Sequence, residues 1–133
     1  MTRYDYLSPE WAAEVQKKLQ KDLPADKMKF ITTSMSNIYT NCPGGKMKFL
    51  LFKCENGVFT EVRVGEGDPP AADFRITGEY ELFSLISQAK LKSQRALMTG
   101  KLKLRGNMVK ALKLASLADR MNAVIATVPT NFG

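Results

Sequence analysis

The chain has 133 residues, 44% of them hydrophobic and 25% charged, with a formal net charge of +7 and no histidine. That length suits one domain over residues 1–133, large enough to bury a core without disulfide staples, and the composition is that of a soluble globular protein. No apolar run approaches the roughly 20 residues of a membrane span, and without histidine every triad built on an imidazole base is excluded.

In chain order, the start Met1-Thr2-Arg3-Tyr4-Asp5 lacks an apolar leader core, and the end Thr130-Asn131-Phe132-Gly133 is no peroxisomal address. A cytoplasmic location is the expectation. Ser8-Pro9-Glu10 reads as a helix start: Ser8 at the N-cap, Pro9 at the first turn, Glu10 complementing the helix dipole. Ala12, Val15 and Leu19 follow at helical spacing, and Pro24 ends the run. Its narrow stripe suits docking on the domain better than lying on a membrane. Phe30 to Tyr39 is strand-compatible, Pro43-Gly44-Gly45 turns the chain, and Lys46 to Cys54 makes a second strand. Asn56-Gly57 then predicts a tight hairpin into a third strand from Val58 to Val64. A regular hairpin would pair Leu51 with Val62 and Phe49 with Val64, leaving Leu50, Phe52 and Phe59 on an unusually apolar opposite face.

Gly65 to Pro70 is a loop. Ala72 to Thr77 predicts a fourth strand with Phe74 and Ile76 inward and Arg75 outward. Glu79 to Ala89 predicts a helix burying Leu82, Leu85, Ile86 and Ala89, and Ser93 to Met98 a further helical turn. Lys101 to Arg105 alternates strictly, Leu102 and Leu104 against three cations, and Gly106-Asn107 hands over to a long terminal helix. In that helix Met108, Ala111, Leu112 and Ala115 form one apolar stripe beside a second of Leu114, Leu117, Met121, Ile125 and Val128. So wide an arc either packs on the sheet and a neighbouring helix or walls a cavity. The pattern is α+β: a five-stranded, mostly antiparallel sheet with helices covering one face.

The basic charge favours an acidic partner, whether nucleic acid, a phosphorylated ligand or an anionic membrane surface. The cationic strands lack the aromatic–glycine signature of sheet-based RNA readers, and Glu61 interrupts them, so no nucleic acid is expected. The glycines match neither a P-loop nor a dinucleotide fingerprint. Cys42 and Cys54 fall too far apart along the expected hairpin for a disulfide, and two cysteines without histidine make a poor metal site. No paired carboxylates or other assembled acid, base or nucleophile stands out, so neither a metal, a cofactor nor a catalytic residue is expected.

Gly100-Lys101-Leu102-Lys103-Leu104-Arg105-Gly106-Asn107-Met108, with Ala111 to Leu114 behind it, resembles the hallmark segment of the sterol carrier protein type 2 domain family. The likeness extends in order through Gln94-x-Ala96, Lys90, Leu82-x-x-Leu85 and Ala72-Asp73-x-x-Ile76-Thr77; the first half of the chain matches in layout alone. The resemblance implies an apolar tunnel between sheet and helices that carries fatty acid, fatty acyl-CoA, sterol or phospholipid without catalysis, although such domains also occur fused to enzymes. Carried over by position, it implies tunnel roles for Leu102, Leu104, Met108, Leu112 and Leu114. Periodicity adds Phe74, Ile76, Leu82, Leu85, Ile86 and Met121. Where several animal relatives place glutamine after the Lys-Leu pair, this chain has Ala115 and so no polar anchor there. The competing expectation is an accessory module that forms a homodimer through Leu50, Phe52 and Phe59.

Overall fold

The computed structural model describes residues 3–132. Met1, Thr2 and Gly133, which bear on the expected absence of a leader and of a peroxisomal tail, lie outside the described residues. Strand β1 (Tyr4–Asp5) pairs in parallel with β7 (Thr130–Asn131), tying the two ends of the chain together. These two-residue strands are too short to leave a periodic trace in the sequence.

Helix α1 (Pro9–Asp22) starts as its residues dictate: Trp11 N donates to Ser8 Oγ at 3.1 Å, with Pro9 in the first turn. Its buried stripe is Trp11, Ala12, Val15 and Leu19, so it docks on the domain. The main sheet contains β2 (Thr33–Thr40), β3 (Lys48–Glu55), β4 (Val58–Glu66), β5 (Phe74–Glu79) and β6 (Lys103–Arg105), in the order β4-β3-β2-β5-β6. The β2–β5 pair is parallel and the other pairings are antiparallel, so the sheet is mixed and mostly antiparallel. Helices α2 (Tyr80–Ser87), α3 (Ser93–Met98) and α4 (Met108–Ile125) complete the fold.

The β3–β4 register departs from the regular hairpin. Asn56 and Gly57 both take positive φ, as a two-residue hairpin turn requires, but the ladder shifts one step beyond it: Cys54 opposes Phe59 while Lys53 opposes Glu61. Thr60 is the extra residue of a β-bulge. Its neighbourhood is held by α1: Gln16 Nε2 donates to Thr60 O at 3.3 Å, Val62 N donates to Gln16 Oε1 at 3.3 Å, and Gln20 Nε2 donates to Phe59 O at 2.7 Å. The bulge lets Phe59 and Val62 point to the same side although three positions apart. Leu50 therefore pairs with Val64 and Phe52 with Val62, in place of the expected Phe49–Val64 and Leu51–Val62 pairs.

This corrects which side of the sheet is outside. Leu50, Phe52 and Phe59 are buried in the core that the helices cover, so they offer no surface for a homodimer. Phe49 and Leu51 lie on the opposite face, where they are also buried. The link over residues 67–73 joins the parallel strands β4 and β5, which β3 and β2 separate in the sheet.

Helix α2 is rotated by one residue from expectation. Phe83, Ile86 and Ser87 are buried, whereas Leu82 is half-buried, Leu85 is 41% exposed and Ala89 is exposed beyond the helix end. Two interactions set the rotation: Phe83 packs on Tyr39 with ring centroids 4.4 Å apart, and Ser87 Oγ hydrogen-bonds Tyr6 Oη at 2.7 Å. Tyr6 also meets Tyr39 Oη at 2.8 Å and packs on Trp11, Tyr80 and Phe132, so one end of the core is a solid aromatic cluster.

Candidate functional site

The opposite part of the core is hollow. A cavity of about 100 Å³ lies between the sheet and α4. Its floor is built by inward positions of the central strands: Met35 and Asn37 of β2, Phe52 and Cys54 of β3, Phe74 and Ile76 of β5. Period-two alternation puts all six on one face. Phe59 joins them because the Thr60 bulge turns it inward.

The roof is the helix that follows the Gly106-Asn107 junction. Gly106 takes φ +135°, and a Cβ there would stand 3.0 Å from both Asp73 O and Phe74 Cδ1, so the position needs glycine. Asn107 caps the helix, its side chain accepting from Lys110 N at 3.1 Å. Ala111, Ala115 and Ala118 then face the sheet at helical spacing, flanked by Leu114, Leu117 and Met121. Alanine side chains are too short to reach the floor, and that shortness leaves the space. Phe83 and Ile86 of α2, Leu97 of α3, and Met28 and Ile31 ahead of β2 close the sides.

Of the residues expected to line a tunnel, Phe74, Ile76, Ile86, Leu102, Leu114 and Met121 line this cavity. Leu82, Leu104 and Leu112 do not; they are partly buried against the core beside it. Leu85 and Met108 are 41% and 46% exposed and do not line it either. The rotation of α2 turns Leu85 to solvent, and Met108 sits in the first turn of α4, ahead of the turn that reaches the sheet. The residues missed by the sequence reading have identifiable causes. Phe52 and Phe59 were hidden by the bulge, Phe83 by the rotation of α2. The alanines of α4 were readable as an apolar stripe but not as a gap.

The lining contains no Asp, Glu, Lys or Arg. Its polar members are Thr33, Asn37, Cys54, Ser93 and Asn122. Thr33 Oγ1 donates to Asp73 Oδ2 at 3.3 Å, and Ser93 N and Oγ both donate to Asp119 Oδ1, at 2.9 and 2.8 Å. Asn37 Oδ1 is buried without a hydrogen-bond partner. Cys54 is a free thiol, and burial pushes its pKa up, partly offset by a backbone hydrogen bond from Gly57. A thiol held protonated beside no base is a packing group and not a nucleophile. The surface of β5 and β6 has the opposite character: Arg75 opposes Arg105 across the pair, with Lys103 beside them, and none of the three is in an ion pair among the described residues. No helix among the described residues is long and apolar enough to cross a membrane.

Comparison with known proteins assigns the family. The family model of the SCP-2 sterol transfer family matches residues 16–119, which takes in the whole sheet and most of the α4 roof. Hydroxysteroid dehydrogenase-like protein 2 of Rattus norvegicus is 32% identical over 113 residues, covering 84% of this chain and 21% of the rat protein. The protein of the same name from Homo sapiens is 33% identical over 113 residues, covering 84% of this chain and 26% of its own. The chain thus spans about a quarter of the length of these curated relatives. Among solved structures, the crystal structure of sterol carrier protein 2 matches with a TM-score of 0.81 at 21% identity, over 93% of this chain and 99% of that one. The solution structure of a conserved hypothetical protein, possibly sterol carrier protein, from Thermus thermophilus matches with a TM-score of 0.82 at 20% identity, over 98% and 94% of the two chains. At such identities the structural likeness speaks for the fold, and the assignment rests on the extent of the sequence match: the chain belongs to the SCP-2 sterol transfer family.

Proposed function

We propose that this chain binds and carries an apolar lipid, a fatty acid, fatty acyl-CoA or sterol-like molecule, in the cavity between the sheet and α4, without catalysing a reaction on it. The observation that carries this reading is the cavity lined by apolar side chains from the sheet and from three helices, in a domain of a lipid-binding family. Burying a fatty chain is favourable by about 0.8 kcal/mol per methylene, so a dozen methylenes give roughly 10 kcal/mol gross. Association costs about 4 kcal/mol or more of that, which leaves at most roughly 6 kcal/mol, an affinity of tens of micromolar or weaker. Such an affinity suits a carrier, which must both extract and release its cargo.

The free volume of about 100 Å³ falls short of the roughly 300–1,000 Å³ typical of ligand pockets. Loading therefore requires the lining to give way. Met28, Met35 and Met121 are suited to this, since unbranched thioether side chains change rotamer at little cost. Fatty acid incubated with the full chain at well above micromolar concentration is expected to yield a one-to-one complex by native mass spectrometry. Free protein alone under those conditions, with no displacement of a fluorescent fatty acid in solution, contradicts the reading.

A further inference from the structure

Asn37 stands in the middle of the central strand, opposite Leu50 on β3 and Ile76 on β5. Its neighbours on the same face of β2 are Met35 and Tyr39, and it lines the cavity floor. The position is one where valine or isoleucine would serve both strand propensity and burial. Instead it holds an amide whose oxygen is buried and unpaired, whereas Thr33 and Ser93, the hydroxyls of the same lining, have acceptors within the protein. Leaving a buried polar group unpaired is costly, and natural structures do so mainly where a ligand or solvent completes the pairing.

We propose that Asn37 is a polar anchor for the cargo, and that the cavity takes a lipid whose hydroxyl group is seated deep against the sheet. This inference rests on the lipid-carrier reading and narrows its ligand class. An asparagine side chain presents a carbonyl acceptor and an NH₂ donor side by side. A hydroxyl is donor and acceptor at once, so it pairs with Oδ1 while accepting from Nδ2. A hydrocarbon segment pairs with neither. An ether oxygen accepts only and leaves Oδ1 unpaired. An ionised carboxylate also accepts only, and it would bring a charge into a lining that holds no cation. In the unloaded protein Asn37 Oδ1 has no accessible surface, so it gains a partner only when the lining gives way to the cargo.

The test is displacement of a fluorescent fatty acid from the full chain by tetradecanol and by its methyl ether, in the unaltered protein and in Asn37→Leu. The unaltered protein is expected to bind the alcohol at least about tenfold more tightly than the ether, relative to the variant. Asn37→Leu is expected to lose the preference, whatever its affinity for the probe, and to melt no lower than the unaltered protein. Equal affinities for alcohol and ether in the unaltered protein overturn the inference, and this comparison decides even if the variant does not fold. A preference that survives Asn37→Leu overturns it as well. If the fluorescent fatty acid itself fails to bind, the carrier reading falls, and the two failures are thereby distinguished.

Discussion

The residues that decide this molecule's behaviour are few, and several are polar groups in apolar places. Tyr6 and Tyr39 share a hydrogen bond of 2.8 Å, and Ser87 extends it, so the buried hydroxyls are mutually satisfied. Burial raises both phenols well above the ordinary tyrosine value of 10.0, and for Tyr6 the hydrogen bonds from Ser87 and Tyr39 offset only part of the rise. Below about pH 10 both phenols are protonated whether the chain is folded or not, and stability is unaffected. Above it the unfolded chain releases protons that the folded chain retains, so stability falls as pH rises. Thermal melts followed between about pH 8 and 12 are expected to show a declining midpoint above the ordinary tyrosine pKa of about 10, with tyrosinate absorbance of the buried pair arriving only with unfolding. Ordinary titration of all four tyrosines in a chain that stays folded contradicts the account. At this scale the sequence was informative where a residue has a local job. Ser8, Asn107 and Asn56-Gly57 all do what their types imply. It was uninformative for Tyr6 and Asn37, whose roles depend on which residues from distant segments surround them.

At the scale of elements, local patterns gave existence and type, and tertiary contacts set phase. The expected strands and helices are present, yet the face of β4 relative to β3 and the rotation of α2 both differ by one residue. The first follows from the Thr60 bulge, stabilised by glutamines of α1 that no hairpin rule takes into account. The second follows from Phe83 and Ser87 meeting Tyr39 and Tyr6. A single-residue shift is enough to exchange inside for outside, which is why Phe52 and Phe59 belong to the cavity and Leu85 does not. Helix α4 carries the element-scale prediction. Ala115→Leu extends a roof side chain into the existing space. Filling a cavity of about 100 Å³ with three further carbons is expected to stabilise the unloaded chain by about 0.5–2 kcal/mol. The same carbons occupy volume that a lipid needs, so affinity for fatty acid is expected to fall at least about tenfold. Urea denaturation and probe displacement on the same variant check the two signs. Destabilisation together with unchanged affinity would place the ligand elsewhere.

For the molecule as a whole, the architecture divides one continuous core into a solid end and a hollow one. Six aromatic rings, from Tyr6, Trp11, Tyr39, Tyr80, Phe83 and Phe132, pack together where the chain ends meet and brace that half of the structure. Away from it, small side chains on α4 and flexible methionines on both layers leave the core able to open. Rigidity at one end and compliance at the other is what a carrier needs if it is to admit a lipid without unfolding. The methionines also supply the most direct test of where the lipid goes. Met28, Met35 and Met121 line the cavity, whereas Met47, Met98 and Met108 are 50%, 69% and 46% exposed and do not. With ¹³C-methyl-methionine protein titrated with fatty acid, the account predicts that the methyl resonances of Met28, Met35 and Met121 shift and saturate together while those of Met47 and Met98 stay in place. Shifts confined to the exposed methionines, or no shift at saturating lipid, would contradict it.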